Sequence, residues 1–119
     1  MKQILISLSF IAIATVTANA QSIGGRYRVE GTNLDGSPYK GEAAITLMSK
    51  TTCEIHWRTG GTTSAGICMR DDTTFAAGYQ MGRAIGLVIY KVNDDGSLDG
   101  TWTIAGQNGS GTERLIPLP

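Results

Sequence analysis

The residues best suited to chemistry in this chain are Cys53, Cys68 and the single histidine, His56. Two thiolates and one imidazole fall short of the four ligands of a structural zinc site. On a strand, His56 also alternates to the opposite face from Cys53, so it is badly aimed to serve as the base of a cysteine nucleophile. We therefore predict one disulfide, Cys53–Cys68, which closes a short loop in an oxidising compartment.

The acidic residues give no clear site. The segment Asp95-x-Ser97-x-Asp99-Gly100 begins like a calcium-binding loop, but the glutamate expected at the loop's twelfth place falls on Gly106. A hairpin turn is the better interpretation. The sequence also has no Gly-x-Ser-x-Gly elbow, no HExxH motif and no phosphate-binding loop. We predict no catalytic residue, no metal site and no cofactor, and hence a protein that is not an enzyme.

Charge and composition narrow the class of partner. The 119 residues include ten Lys and Arg and ten Asp and Glu, with 41% apolar residues. This balance offers no basic field for phosphates, so we predict no nucleic-acid partner. The apolar share is that of an ordinary globular domain rather than of a disordered chain.

The N-terminus has the pattern of an export signal. Met1-Lys2 gives a positive start, Ile4 to Val16 is almost wholly apolar, and Ala18-Asn19-Ala20 fits a signal-peptidase site. The alternative, a membrane anchor, needs an apolar run of roughly 20 residues, which this segment lacks. We predict a cleaved signal peptide at residues 1–20 and one exported domain at residues 21–119. That domain has no membrane span and is periplasmic or extracellular.

Beyond the signal, apolar and polar residues alternate with period two between turns rich in Gly, Asn and Asp. The pattern predicts eight strands, at Gly25 to Gly31, Tyr39 to Met48, Thr52 to Arg58, Thr63 to Arg70, Thr74 to Gln80, Ala84 to Val92, Leu98 to Ile104 and Gly111 to Ile116. Short connections join antiparallel neighbours, which favours an all-β, up-and-down meander in a closed or half-open barrel. A two-sheet sandwich is the alternative.

Alternation also predicts which side chains face inward, and the set is Tyr27, Val29, Tyr39, Ala43, Ile45, Leu47, Cys53, Ile55, Trp57, Leu98, Trp102 and Ile104. A hairpin turning at Gly60-Gly61 places Cys53 opposite Cys68 and Trp57 opposite Ser64. Glycines within strands, such as Gly86 and Gly100, indicate bulges, tight curvature or room for a bulky neighbour.

The aromatic residues have two interpretations. We expect them to fill the interior, because an eight-stranded barrel of short strands leaves little space once its side chains are in place. The alternative is a ligand cup lined by Trp57 and Trp102.

Several segments together resemble a family of small exported bacterial proteins, some of which are labelled fibronectin-binding. They include Gly25-x-Tyr27-x-Val29, Cys53-x-Ile55-x-Trp57-Arg58, Gly66-Ile67-Cys68-Met69-Arg70, Gly86-Leu87-Val88-Ile89-Tyr90, Asp95-Gly96-Ser97-Leu98-x-Gly100-Thr101-Trp102 and Gly111-Thr112-Glu113-x-Leu115. The resemblance spans nearly the whole exported domain and implies an exported all-β fold. Its label implies adhesion to a host matrix protein such as fibronectin, and it identifies no binding residue.

Three functions follow from these observations. The first is a non-enzymatic exported domain that binds a protein partner, with adhesion to host matrix as the specific version. The second is a periplasmic inhibitor of a hydrolase, presenting the loop at Asn33 to Pro38 or at Met81 to Arg83. The third is a small-ligand carrier with an internal cavity.

Overall fold

The computed structural model describes residues 22–119, so the predicted signal peptide at residues 1–20 lies outside the described part of the chain. The eight strands are β1 (Gly25–Thr32), β2 (Pro38–Leu47), β3 (Cys53–Thr59), β4 (Thr62–Asp71), β5 (Thr74–Met81), β6 (Ala84–Val92), β7 (Leu98–Ile104) and β8 (Gly111–Pro117). Each matches a predicted strand to within about a residue at either end. Among residues 22–119, no helix is long and apolar enough to cross a membrane.

The strands form one closed antiparallel barrel in which each strand pairs with its neighbour in sequence. Pairing of β1 with β8, with Val29 opposite Leu115, closes the ring. The predicted up-and-down barrel is therefore confirmed in its closed form, and the two-sheet alternative is wrong. Closure leaves no sheet edge with unpaired backbone groups, which is the physical advantage of a barrel over an open meander.

The two ends of the barrel differ. The turns after β1, β3, β5 and β7 lie at one end, which we call the open end. At the other end Ile23, just before β1, is buried in the core and its carbonyl accepts a hydrogen bond from the Tyr27 hydroxyl at 2.6 Å. Ile23, which lies outside the strands, thus covers this end of the barrel, which we call the closed end.

Side chains pack solidly in the half of the barrel near the closed end. The side chains of Val29, Ile55, Phe75, Leu98 and Leu115 are completely buried there. Most predicted inward residues are buried, and Tyr39 and Trp102 are partly buried, but Leu47 is 50% exposed. That prediction was wrong because Leu47 is the last residue of β2, where the chain leaves the wall.

The hairpin of β3 and β4 has the predicted register, with Cys53 opposite Cys68 and Trp57 opposite Ser64. Gly60 and Gly61 form its turn with φ of 57° and 78°, the left-handed backbone that a two-residue hairpin turn requires. Cys53 and Cys68 form the predicted disulfide in the core, with their Cα atoms 4.9 Å apart.

Four aromatic side chains lie over glycines that face them on the next strand. The pairs are Tyr39 with Gly31, Tyr79 with Gly86, Tyr90 with Gly100, and Trp102 with Gly111. A Cβ atom added at any of these glycines would lie 2.1–2.5 Å from the facing ring. The strand glycines therefore provide room for bulky neighbours, one of the roles predicted for them.

Removal of the disulfide tests its contribution to stability. Replacement of Cys53 and Cys68 together by alanine frees the unfolded chain and should lower the free energy of unfolding by roughly 3 kcal/mol. Thermal melts followed by circular dichroism should show a lower Tm with an unchanged folded spectrum. Two free thiols in the purified wild-type protein would contradict the assignment.

Substitution of alanine for Gly100 tests the aromatic–glycine pairs. The added Cβ would lie 2.5 Å from the Tyr90 ring, which is buried and is hydrogen-bonded through its hydroxyl to Glu113. We expect a loss of about 1–3 kcal/mol in chemical denaturation. Gly78→Ala is the matched control, because its nearest contact would be an ordinary 3.7 Å. Equal stability of the two variants would refute this role.

Candidate functional site

The barrel contains a cavity of about 240 Å³ that reaches the open end, which we call the cup. Four aromatic side chains line it: Tyr39, Trp57, Tyr79 and Trp102. Asn33, Thr59, Thr62 and Ser64 add polar groups, and Val88 and Glu113 are buried lining residues. The cup is thus mainly aromatic, with a few polar groups at its mouth and one carboxyl group deep inside.

Glu113, on β8, is 8% exposed and accepts hydrogen bonds from three side chains. Its Oε1 accepts from the Tyr39 hydroxyl at 2.8 Å. Its Oε2 accepts from Trp57 Nε1 at 3.0 Å and from the Tyr90 hydroxyl. Because the indole N–H can only donate, Oε2 must act as an acceptor.

Two glycines make this arrangement possible. Glu113 lies opposite Gly31 on one neighbouring strand and opposite Gly100 on the other. Tyr39 lies over Gly31 and Tyr90 over Gly100, so each ring crosses a strand that carries no side chain at that position. Both hydroxyls consequently reach the carboxyl group from strands that are not adjacent to β8.

Burial and hydrogen bonding act in opposite directions on this carboxyl group. Desolvation raises the pKa of Glu113 above its ordinary value, and the hydrogen bonds from Tyr90, Tyr39 and Trp57 partly offset the rise. Desolvation together with the nearby Glu113 charge raises the pKa of Tyr79 to about 12. The same two causes raise the pKa of Tyr39 and of Tyr90, so these phenols stay protonated and available as donors.

The aromatic walls are held in place by contacts with one another and with the backbone. Tyr39 and Trp102 meet edge to face at 6.2 Å between ring centroids, and Trp57 and Tyr79 at 5.3 Å. The Trp102 indole donates to the Thr112 carbonyl at 3.2 Å, and the Tyr79 hydroxyl donates to the Thr103 carbonyl at 3.1 Å. These contacts within the protein hold the aromatic walls in position in the absence of a ligand.

The structure divides the predicted aromatic interior into two parts. Phe75, Tyr90 and Tyr27 pack in the core as expected. Trp57 and Trp102 both line the cup, so the prediction that side chains leave little space was wrong for this half of the barrel. Three of the four rings there, those of Tyr39, Tyr79 and Trp102, lie over glycines of adjacent strands.

The other residues that the sequence offered for chemistry lie outside the cup. His56 points outward on β3, with 60% of its side chain exposed and Nε2 3.8 Å from Glu54. Asp95 accepts hydrogen bonds from the Ser97 backbone and hydroxyl within its turn, which lowers the pKa of Asp95. Among residues 22–119, no group of three or more His, Cys, Asp or Glu side chains is arranged to hold a metal ion.

Glu113 was not among the residues predicted to have a functional role. A signal was present, because Glu113 is two residues before the fully buried Leu115 and thus shares its inward face. A carboxyl group on an inward-facing position is uncommon and usually needs partners. The partners themselves are distant in sequence, which hides the site from inspection of any one segment.

The outer wall carries an apolar patch formed by Ile67 and Met69 on β4 and by Ile85, Leu87 and Ile89 on β6. Each of these side chains is more than half exposed. On β5 between them, Ala76 and Gly78 face the same side, with Gly78 opposite both Ile67 and Leu87. The patch contains no charged residue, which is typical of a contact surface.

No protein-family model and no curated protein matches the chain. Its fold is similar to those of designed β-barrels. A redesigned barrel, b11L5F_LGL, has a TM-score of 0.70 at 17% identity over 82% of this chain and 92% of that chain. The redesigned barrel mFAP1 bound to DFHBI has a TM-score of 0.67 at 19% identity, over 79% of this chain and 94% of that one. A fluorescence-activating β-barrel designed de novo has a TM-score of 0.64 at 14% identity, over 80% of this chain and 93% of that chain. These likenesses show the fold alone.

The raised pKa of Glu113 predicts a specific pH dependence of stability. The folded protein holds this proton more tightly than the unfolded chain, so its stabilising contribution is complete below the ordinary value of 4.5 and is lost as pH rises through the folded pKa. Relative to Glu113→Gln, the wild-type free energy of unfolding should fall over that range.

Urea denaturation of both proteins between acidic and neutral pH measures this difference. The lowered pKa values of Asp35 and Asp95 act in the opposite direction, but both groups are present in both proteins and cancel in the difference. Parallel pH profiles of the two proteins would show that Glu113 has no raised pKa.

Proposed function

We propose that this protein is an exported, non-enzymatic binding protein that takes a small, partly apolar molecule into the cup. The observation that carries the proposal is the aromatic cavity of about 240 Å³, open at one end of a barrel that is otherwise solidly packed. Cavities that bind small ligands are typically concave, mainly apolar and equipped with a few convergent polar groups. The cup has each of these properties.

The fold supports the proposal in general terms. Eight-stranded barrels are just wide enough to hold one small ligand where their interior is not filled by side chains. The similar barrel mFAP1 is bound to DFHBI, a small molecule. Residues of this chain, rather than that similarity, define the ligand it would take.

The arrangement around Glu113 supports binding rather than catalysis. Both carboxyl oxygens are held by hydrogen-bond donors, an arrangement that stabilises the ionised form at one place. The one imidazole of the chain, His56, lies on the outer wall and faces away from the cup. Among the described residues that line the cavity, no serine or threonine hydroxyl is hydrogen-bonded to Glu113 to form a nucleophile–base pair.

The disulfide supports an exported location. Disulfides persist in oxidising compartments and are rare in the reducing cytosol, so the Cys53–Cys68 bridge fits a periplasmic or extracellular protein. The predicted signal peptide gives the same location from an independent part of the chain. A ligand available to such a protein would be an extracellular or envelope solute.

Binding of N-phenyl-1-naphthylamine, a neutral dye that emits strongly in apolar surroundings, tests the proposal. The wild-type protein should give a saturable increase in emission. Ser64→Phe places a ring in the cup beside Trp57 and should weaken dye binding by about tenfold or more. Circular dichroism would establish that this variant is folded.

Thr63→Phe is the matched control, because Thr63 precedes Ser64 on β4 but is exposed on the outer wall. Its dye affinity should equal that of the wild-type protein. Absence of saturable binding to the wild type, or equal affinity in the Ser64 variant, would overturn the assignment of the cup as a binding site.

A protein partner is the second candidate function. The exposed apolar patch on β4–β6 favours it, because a monomeric exported domain rarely presents so many large apolar side chains together. Adhesion to fibronectin and inhibition of an envelope hydrolase are specific versions that stay predictions. Saturable binding to immobilised fibronectin, or inhibition of a purified envelope hydrolase, would support them.

A further inference from the structure

Among the described residues that line the cup there is one acidic side chain and no basic one. Of the described residues that line the cavity, Glu113 is the only one with a carboxyl, ammonium, guanidinium or imidazole group. The described turns at the open end contain one acidic residue, Asp35, and one basic residue, Arg83. Both are exposed, so solvent screens their charges. The interior field of the cavity is therefore set by Glu113.

The three hydrogen bonds to Glu113 stabilise its charge without neutralising it. Tyr39, Trp57 and Tyr90 are neutral donors, and burial raises the pKa of both tyrosines further. When all the partners of a buried carboxylate are neutral, no opposite charge compensates its negative charge. A cation bound in the cavity would provide that opposite charge.

The two carboxyl oxygens are not equivalent. Oε2 accepts two hydrogen bonds, from Trp57 and Tyr90, whereas Oε1 accepts one, from Tyr39. Tyr39 has a second acceptor within reach, the Thr112 carbonyl at 3.2 Å. An additional donor at Oε1 is therefore compatible with the network, because the Tyr39 hydroxyl can turn to Thr112.

The aromatic walls suit the same kind of ligand. Cations are attracted to the faces of Trp and Tyr rings within about 6 Å of the ring centre, and the attraction increases when water is excluded. Trp57, Trp102, Tyr39 and Tyr79 all line the cavity that contains Glu113. Their apolar surface would also cover the uncharged part of a ligand.

We infer that the cup binds a small organic amine as its ammonium ion, with the ammonium group at Glu113 Oε1 and its apolar part against the four aromatic side chains. This inference rests on the proposed function and gives its ligand a chemical class. An anion would be repelled by the buried carboxylate, and a neutral molecule would leave the charge uncompensated.

Three naphthalene compounds of nearly equal size test the inference on the wild-type protein at pH 7. They are 1-naphthylmethylamine, which is a cation, 1-naphthalenemethanol, which is neutral, and 1-naphthoate, which is an anion. Isothermal titration calorimetry should show the amine binding at least about tenfold more tightly than the alcohol, as expected for a charge-assisted hydrogen bond. The naphthoate should bind more weakly than either.

Glu113→Gln tests the assigned residue. The glutamine carbonyl can still accept from Trp57 and Tyr90, and its amide can donate to Tyr39, so the variant preserves the shape of the cup. Its preference for the amine over the alcohol should disappear. Glu30→Gln is the control, because it removes the same charge from a partly exposed position on β1 next to Gly31 and should keep the preference.

The outcomes separate the inference from the proposed function. Equal binding of amine and alcohol by the wild-type protein, or an unchanged preference in the Glu113 variant, would overturn the inference and leave the cup a site for neutral ligands. If the phenyl-naphthylamine dye binds but none of the three compounds does, the inference is also overturned. Failure of the dye as well would overturn both. The wild-type comparison stands even if the Glu113 variant does not fold.

Discussion

The buried carboxylate of Glu113 is the constraint on which the rest of the interior depends. Removal of a lone carboxylate from water costs several kcal/mol, so the fold must supply donors at the place where the group is buried. Here the donors come from β2, β3 and β6, whereas Glu113 itself is on β8. Loss of any one donor would remove part of the compensation for the burial of the carboxyl group. The carboxylate thus links four strands of the barrel through one network.

The same constraint explains the positions of the glycines and tyrosines around it. Tyr39 and Tyr90 reach Glu113 only because Gly31 and Gly100, its two direct neighbours across the sheet, carry no side chains. Tyr90 belongs to the buried core, whereas Tyr39 lines the cup. The barrel is packed at one end and hollow at the other, although every strand alternates in the same manner.

Local features of the sequence predict the architecture well. Period-two alternation and turn residues such as Gly60-Gly61 are read over a few positions, which is why the eight strands and the β3–β4 register agree with the structure. The cup depends on pairs such as Tyr79 with Gly86, which become neighbours only when the register of two strands is known. The alternation of apolar and polar residues predicts that Glu113 faces inward. It does not predict that Tyr39, which is 74 residues away in sequence, donates a hydrogen bond to Glu113.

Preorganisation connects this architecture to recognition. The polar tips of Tyr79 and Trp102 are already bonded to backbone carbonyls, and the rings support one another edge to face. A ligand entering such a cavity has few side chains to immobilise, so little of its contact energy is lost in ordering the protein. Rigid walls select ligands by shape, which distinguishes poorly among molecules of similar outline. Among the described lining residues Glu113 is the one acidic or basic group, so discrimination by charge must come from it.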